Sequence, residues 1–201
     1  ADKNYSFTSA DLMREVGAFV QENTGMAVRL KHPAITVFIE VAEGKAFIYS
    51  EKIPGAGGLP VGVAGKAVAL MSSGFDSPIA ALRMMRRGCD VVFAHFHSYP
   101  YTTRDSVENV EKLISIISCY SPRPIKLYLV PFLGLQEHIV KFAPSALLVI
   151  IYRRWMLKIA EQIALRERGL ALITGDSVSQ VASQTLENIM TISEAVSLPI
   201  L

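Results

Sequence analysis

A run of hydroxyl, carboxyl and glycine residues, Ser72–Ser77 (SSGFDS), has the residue types best suited to chemistry in this sequence. It follows an apolar stretch, Ala67–Met71, and precedes a helical pattern that opens with Pro78. Anion binding is favoured where a buried strand leads through a small-residue loop into the start of a helix. The N–H groups of the loop and of the first helical turn converge on the anion, and the helix dipole attracts its negative charge. We expect Ser77 to cap the helix and Pro78 to take its first position. The pattern predicts a nucleotide phosphate site at this loop.

The individual residues of this loop fit that chemistry. Gly74 lets the backbone come close to a phosphate, and the hydroxyls of Ser72 and Ser77 can donate hydrogen bonds to it. Asp76 would repel a bare phosphate, so near one it should hold Mg²⁺ or brace the loop by accepting from backbone N–H groups. The alternative is an ordinary Ser- and Asp-rich turn between a strand and a helix.

From residue 66 onward the sequence predicts an α/β fold, a parallel sheet with helices on both faces. Strands that alternate with helices imply right-handed crossovers, which make the strands parallel. Ligands of such sheets bind beyond the carboxyl ends of the strands. Polar segments fall there at Ser72–Ser77, His95–Ser98, Pro131–Phe132 and Gly175–Ser177. Further strands are predicted at Asp90–His95, Ile125–Val130, Leu170–Thr174 and Ser197–Leu201, and further helices at Ser106–Ser118, Leu135–Phe142, Ser145–Arg168 and Gln180–Ile192.

A smaller unit precedes this fold. Apolar residues at helical spacing predict a helix over Ser9–Thr24, capped at Thr8 or Ser9 and ended by Gly25. Two β-rich runs predict a hairpin, Ile35–Val41 and Ala46–Ile48, joined at Glu43-Gly44.

The stretch Pro54–Gly65, rich in glycine and proline and without periodicity, marks a domain boundary. The predicted organisation is a first domain at residues 1–53, a linker at 54–65 and a second domain at 66–201. The chain begins without Met in a polar stretch and ends inside an apolar run, Leu198–Leu201, so we expect a fragment of a longer protein.

Composition and charge narrow the classes of protein to which the chain can belong, although a local basic face stays possible. A net charge of +2 gives no strong electrostatic signature for nucleic acid. The longest apolar run, Ala146–Tyr152, is far shorter than the roughly 20 residues of a membrane span, so no membrane partner is expected. Cys89 and Cys119 form no CxxC pattern and fit free thiols in a reducing cytosol.

Outside the loop, each candidate side chain has two interpretations. His95 and His97 have the same-face spacing of a strand and could bind a metal, but without a third ligand structural histidines are favoured. Arg153 follows an apolar helical stretch, where it either extends to solvent or reaches a phosphate at the carboxyl edge of the sheet.

The Ser72–Ser77 loop resembles the SGGxDS pyrophosphate loop of the ATP pyrophosphatase (PP-loop) superfamily, with Ser73 in place of the first glycine of the pair. If that position needs positive φ, Ser73 costs about 1 kcal/mol. The resemblance extends along nearly the whole chain to the tRNA 4-thiouridine synthetase family, and Thr8–Gly17 is similar to the end of that family's THUMP RNA-binding domain. It is carried by EKIPGAGGLPVG (Glu51–Gly62), AHFHS (Ala94–Ser98), LVPF (Leu129–Phe132), YRRWMLKIAE (Tyr152–Glu161) and TGDSVSQVASQTLENI (Thr174–Ile189).

This resemblance implies a cytoplasmic tRNA sulfurtransferase of the thiamine and 4-thiouridine pathway. It implies a PP-loop domain with the Rossmann-like fold of adenine nucleotide alpha hydrolases, preceded by part of a small α+β THUMP-like domain. The implied reaction is adenylation of uridine O4 by ATP with release of pyrophosphate, followed by displacement of AMP by a persulfide or sulfide. The implied partners are tRNA, a persulfide donor of the cysteine desulfurase type or sulfide, and a second copy in a homodimer. The family's sulfur-transfer cysteine is expected beyond Leu201.

The resemblance also implies the site residues. Asp76 would be catalytic and would hold Mg²⁺. The implied ATP contacts are Leu70, Met71, Ser72, Ser73, Gly74, Phe75, Asp76, Ser77, His95, Phe96, Arg153, Gly175 and Gln184.

Two alternatives to this function stay open on the sequence. One is a different PP-loop ATP pyrophosphatase, such as an amidotransferase synthetase or another tRNA-modifying enzyme. The other is an ATP- or AMP-binding module without sulfur-transfer activity in this chain.

Overall fold

The structure is a computed structural model of the 201-residue chain, and it describes residues 5–55, 57–181 and 183–201. The chain divides into two compact units, Ala1–Gly55 and Ala56–Leu201. The predicted domain borders, at residues 53 and 65, stay predictions.

The first unit opens with helix α1, Ser9–Thr24, as predicted. Thr8 is its N-cap, in a reciprocal capping box: the Thr8 hydroxyl accepts from the Asp11 N–H at 3.2 Å, and the Asp11 carboxylate accepts from the Thr8 N–H at 3.0 Å. This arrangement satisfies two of the N–H groups that a helix start leaves without partners. Gly25 ends the helix with φ of 69°, the left-handed conformation that glycine adopts without a Cβ penalty.

A hairpin of strands β1, Phe38–Ala42, and β2, Lys45–Tyr49, follows. Its turn residues Glu43 and Gly44 both have positive φ, which matches the right-handed twist of the paired strands. The rings of Phe38 and Tyr49, directly opposite each other, stack with centroids 5.3 Å apart. The predicted hairpin is therefore confirmed, with its strands shifted by a few residues.

The second unit is a parallel α/β fold. Its four strands lie in the order β5-β4-β3-β6, each pair parallel, and Ile200 bridges to Leu172 as the start of a fifth strand. The strands are β3 (Lys66–Leu70), β4 (Asp90–His97), β5 (Leu127–Pro131) and β6 (Ala171–Ile173). The helices are α2 (Asp76–Arg86), α3 (Asp105–Ser118), α4 (Leu133–Phe142), α5 (Leu148–Glu167, after a 3₁₀ turn at Ser145–Leu147) and α6 (Leu186–Ser193).

Alternate residues of the central strands bury opposite faces of this sheet, which explains its two apolar cores. On β3, Ala67 and Ala69 belong to the core that α2 and α3 cover, whereas Val68 belongs to the core that α5 covers. Phe93 of β4 is fully buried in the first core and Leu172 of β6 in the second. Each such side chain contributes about 1.5–3 kcal/mol through removal from water. The predicted layering, with helices on both faces, is confirmed.

One predicted helix is wrong in its extent. The described residues among 180–185 are not helical, and helix α6 spans only Leu186–Ser193. The Thr185 hydroxyl accepts from the Asn188 N–H at 3.3 Å and so starts the helix there. The polar residues before it use their side chains elsewhere, as Gln184 does toward Asp176. Ser183 and Thr185 are short polar residues, and such side chains compete with helical backbone bonding, which agrees with the later start.

At the amino ends of the strands, a carboxylate joins three elements. The Glu167 carboxylate, at the end of α5, accepts from Lys126 Nζ at 2.9 Å and from the Tyr128 hydroxyl at 2.6 Å. Lys66 Nζ of β3 lies 3.5 Å from the same group. These hydrogen bonds from Tyr128 and Lys126 hold the pKa of Glu167 at about 2, below the ordinary 4.5.

Glu167→Gln is expected to lower the free energy of unfolding at pH 7 by about 2 kcal/mol, the range of hydrogen bonds to charged groups. A lowered folded-state pKa means that this contribution is fully present above pH 4.5 and is lost as pH falls toward 2. Urea titrations of both proteins between pH 7 and pH 3 measure it. Glu111→Gln, on the exposed face of α3, is the control and should change little. A Glu167→Gln difference that stays constant down to pH 3 would contradict the assignment.

Candidate functional site

A cleft of about 720 Å³ lies at the carboxyl edge of the parallel sheet. The segments that follow β3, β4 and β6 meet there, together with parts of α5 and α6. The predicted site residues that line it are Leu70, Met71, Ser72, Ser73, Asp76, Ser77, His95, Phe96, Arg153, Gly175 and Gln184. Gly74 and Phe75 belong to the same loop without lining the cleft, and Phe75 is 79% exposed.

Ser77 is not the N-cap that the sequence predicts. Helix α2 already begins at Asp76, and Ser77 lies inside its first turn with only 5% of its surface exposed. Its hydroxyl accepts from the Ser72 N–H at 2.8 Å and lies 2.9 Å from the Ser72 hydroxyl. The side chain thus closes the loop onto the helix start. Pro78 is the third helical residue, where its missing N–H is still one that the helix would leave without a partner.

The outer part of the loop carries no backbone strain. Ser73 is exposed and its φ lies outside the positive range, so the cost that a glycine position would impose does not arise. A Cβ on Gly74 would lie 3.5 Å from the Ser72 hydroxyl, which is ordinary contact. The protein itself therefore has room for a side chain at residue 74. Without one, the backbone atoms of Gly74 are not covered by a Cβ.

Gly175 packs the segment after β6 directly against the loop. A Cβ at this position would lie 2.5 Å from the Ser77 N atom and 2.7 Å from its Cα. Both are backbone atoms of the first turn of α2, so neither can move aside like a flexible side chain. This close approach brings the ends of β3 and β6 together at one point of the cleft.

Polar side chains from the segment after β6 pair across the cleft. Arg153 of α5 forms an ion pair with Asp176, and Gln184 Nε2 donates to Asp176 at 3.2 Å. Gln180 Nε2 donates to the Asp76 carboxylate at 3.0 Å. Gln180 and the pairing of Asp176 with Arg153 did not follow from the sequence. An acid directly after a predicted strand was the available signal for Asp176.

His95 is held in one orientation at the end of β4. It is 5% exposed, and its Nδ1 lies 2.9 Å from the Met71 carbonyl oxygen. Because a carbonyl only accepts, Nδ1 carries the hydrogen. Burial lowers the pKa of His95, with a smaller opposing effect of the Met71 bond and a further lowering by nearby His97. The ring is therefore neutral near pH 7, and its buried Nε2 has no hydrogen-bond partner in the structure.

Among the described residues, His95 and His97 are not joined by a third side chain that could complete a metal site. Within residues 5–55, 57–181 and 183–201, no group of three or more His, Cys, Asp or Glu side chains could hold a metal ion. Cys89 is buried in the core, where burial raises the pKa of its thiol, and Cys119 is exposed. Over the same residues, none of the helices combines the length and apolar character needed to cross a membrane.

Ser77→Ala is expected to lower the free energy of unfolding by about 1 kcal/mol, because the part-buried hydrogen bond from the Ser72 N–H to the Ser77 hydroxyl is lost. Thermal unfolding measures the change. Ser73→Ala, at the exposed neighbour, is the matched control and should stay within about 0.5 kcal/mol of wild type. Equal effects of the two substitutions would mean that the hydrogen bond from Ser72 to Ser77 does not stabilise the loop.

The parallel sheet and the cleft at its carboxyl edge define an α/β protein with a polar cleft where sheets of this kind bind ligands. Comparison with known families agrees: the family model described as Thiamine biosynthesis protein (ThiI) matches residues 62–201, and the THUMP domain model matches residues 1–51. The chain belongs to the ThiI family. The predicted family is thereby confirmed.

Relatives and solved structures extend this result. Proteins named probable tRNA sulfurtransferase from Thermus thermophilus and Caldanaerobacter subterraneus are 48% and 45% identical over 200 residues, which cover 100% and 99% of this chain. The chain spans about half of each relative, 49% and 52%. A crystal structure of a 4-thiouridine synthetase–RNA complex with bound ATP superposes with a TM-score of 0.83 at 34% identity, over 100% of this chain and 53% of that one. PH1313 from Pyrococcus horikoshii, at 24% identity and a TM-score of 0.69, covers 99% of this chain and 55% of that one and supports the fold alone.

Proposed function

We propose that this chain carries the ATP site and the uridine-adenylating step of a tRNA sulfurtransferase that makes 4-thiouridine. One observation carries the proposal: the serine loop, the end of β4, Arg153 and the segment after β6 converge on a single cleft. The family, the names of the relatives and the ATP- and RNA-bound 4-thiouridine synthetase support it.

The proposed reaction has two displacements. Uridine O4 attacks the α-phosphate of ATP, a new P–O bond forms, pyrophosphate leaves, and the N3 proton of the ring passes to solvent. The O4-adenylated ring is then electrophilic at C4, and a sulfur nucleophile displaces AMP there. Sulfide gives 4-thiouridine directly, whereas a persulfide gives a mixed disulfide that a second thiol must reduce. We propose sulfide or a persulfide from a cysteine desulfurase-type protein as the donor.

The cleft offers each part of ATP a suitable surface. We assign the phosphates to the backbone and hydroxyls of Ser72–Ser77, at the start of α2, where the helix dipole favours negative charge. The adenosine is assigned to the side chains at the ends of β3 and β4. These are Leu70, Met71, His95 and Phe96, with Arg153, Gly175 and Gln184 as further contacts on the opposite wall.

Asp76 is the residue that fits Mg²⁺. Its carboxylate is exposed at the cleft and is bonded to a neutral amide, that of Gln180, rather than to a cation. Mg²⁺ is commonly held by one or two carboxylates together with substrate phosphates and waters. When bound, the ion would neutralise charge on the departing pyrophosphate. Asp76 is therefore the proposed catalytic residue. Asp176 is less suited, since Arg153 already neutralises it.

The remaining partners follow from the same assignment. The THUMP match over residues 1–51 supports tRNA as the macromolecular substrate. We further propose a cytoplasmic location, consistent with the exposed free thiol of Cys119, and a homodimer as the working assembly.

Pyrophosphate release by the full-length protein tests the proposal, with ATP present and tRNA added or omitted. Release that requires both ATP and a tRNA with the target uridine is the expected result. Release without tRNA in the presence of a small acceptor would indicate a different PP-loop ATP pyrophosphatase. ATP binding without release under either condition would indicate a binding module.

A further inference from the structure

The cleft has two chemically different halves, on opposite faces of the sheet edge. Along a strand, alternate side chains point to opposite faces. Phe96 of β4 packs with the core under α5, and Leu70 does the same from β3. His95 and His97 lie two and four residues after Phe93 on the same strand, so their side chains point to the same face as Phe93, the face that α2 and α3 cover. The strand side chains Leu70 and Phe96 of the first half are thus apolar, whereas the strand side chains of the second half include two imidazoles.

The second half also gathers hydroxyl groups from the segment after β4. Thr102 and Ser106 line the same cleft as His97. Neither hydroxyl takes part in a hydrogen bond within the described structure. Ser98 differs, because its hydroxyl is already bonded to Gln136. We call His97, Thr102 and Ser106 the polar half of the cleft.

The polar half contains one of the buried polar atoms that have no partner among the described residues, a group that also includes His95 Nε2 and Gln184 Oε1. The Nδ1 atom of His97 is buried and has no hydrogen-bond partner in the structure. Buried polar groups are hydrogen-bonded in the large majority of folded proteins, and each exception needs an explanation. His97 itself lines the cleft, so a rotation of its ring would turn Nδ1 toward that space, where a bound ligand provides the partner.

We propose that the polar half of the cleft binds the acceptor uracil, with His97 as its positioning residue. This inference rests on the proposed function. The imide edge of uracil offers an N–H between two carbonyl oxygens, and an imidazole nitrogen with neighbouring hydroxyl groups can pair with all three. The apolar side chains of Leu70 and Phe96 suit the adenine ring instead. The Ser72–Ser77 loop leads into α2, which covers the same face of the sheet as His97, so a base beside His97 lies on the side of the proposed phosphate site.

A uridine in folded tRNA must leave its stack to reach such a pocket. Enzymes that react at a base extrude the nucleotide and recognise its edge by hydrogen bonds within the pocket. His95 belongs to the proposed ATP contacts, and its Nδ1 is committed to Met71. His97 is therefore the residue whose substitution should separate recognition of the base from recognition of the nucleotide.

The test measures two quantities in the His97→Ala variant of the full-length protein: the Kd for ATP and the kcat/KM for tRNA. We expect the Kd for ATP without tRNA to stay within about twofold of wild type, which also establishes that the variant folds. We expect kcat/KM for tRNA in pyrophosphate release to fall about ten- to a hundredfold, the range of one good pairing with a base edge. His97→Asn, which keeps a polar atom near the position of Nδ1, should recover part of this loss. His138→Ala removes an exposed imidazole of α4 outside the cleft and should behave as wild type.

Two results for the variant would overturn the inference. A loss of ATP affinity as large as the loss in kcat/KM would assign the polar half to the nucleotide. An unchanged kcat/KM for tRNA would exclude a role of His97 toward the base. Failure of the proposed function is distinguishable, because it would appear in the wild-type protein as pyrophosphate release that does not depend on tRNA.

Discussion

Asp76→Asn is expected to lower tRNA-dependent pyrophosphate release by about 10²–10³-fold, the usual effect of removing one preorganised electrostatic group at a reacting centre. The substitution keeps the size of the side chain and its contact with the Gln180 amide. It removes the charge that would hold Mg²⁺ against the phosphates. Initial rates of release at saturating ATP and tRNA measure the effect.

Asp105→Asn is a matched control for this substitution. Both aspartates are the first residue of their helix, Asp76 in α2 and Asp105 in α3, so both lose the same favourable interaction with a helix dipole. Asp105 does not line the cleft. A similar loss of activity in the two variants would mean that Asp76 acts only by stabilising its helix.

Gly175→Ala is expected to abolish detectable ATP binding and to lower the free energy of unfolding by about 1–3 kcal/mol, the range of overpacked cores. The added methyl would meet backbone atoms of Ser77 at 2.5–2.7 Å, so either the start of α2 or the segment after β6 must move. Such a shift spoils the loop that is proposed to hold the phosphates. Isothermal titration with ATP and urea unfolding measure the two effects.

Gly134→Ala supplies the comparison. Gly134 lies in the first turn of α4, and a Cβ there would meet no atom within 4 Å apart from its chain neighbours and the backbone of its own helix. Alanine in a helix is expected to stabilise by about 0.4–1 kcal/mol, with ATP binding unchanged. Wild-type ATP affinity in Gly175→Ala would show that the loop does not depend on this close packing.

Most of the fold could be predicted because strong local patterns determine it. The apolar run of β3 and the helical spacing of α3 each indicate one element, and alternation of strands with helices implies the parallel sheet. The glycine and threonine at the ends of α1 were recognisable caps. Strand β4 runs two residues past its predicted end because the His97 carbonyl accepts from the Phe132 N–H, a contact with a different element.

The parts of the site that escaped prediction depend on residues far apart in the sequence. Ser77 looks like a cap locally, but its hydroxyl is used to close the loop at Ser72. Nothing in the spacing of Arg153 indicates that it pairs with Asp176, 23 positions further on. Gln180 fits a helical pattern in the sequence, but in the structure its amide donates to the Asp76 carboxylate across the cleft. Propensity is a weak local preference, and tertiary hydrogen bonds of this kind override it.

The most direct test of the proposed chemistry is the identity of the products that full-length protein makes from ATP when it acts on tRNA. Attack of uridine O4 at the α-phosphate predicts one pyrophosphate and one AMP for each 4-thiouridine formed in the presence of a sulfur donor. Separation of the products of ATP labelled at the α-phosphate and at the γ-phosphate gives this ratio. ADP and inorganic phosphate as the products would contradict the assignment of the cleft.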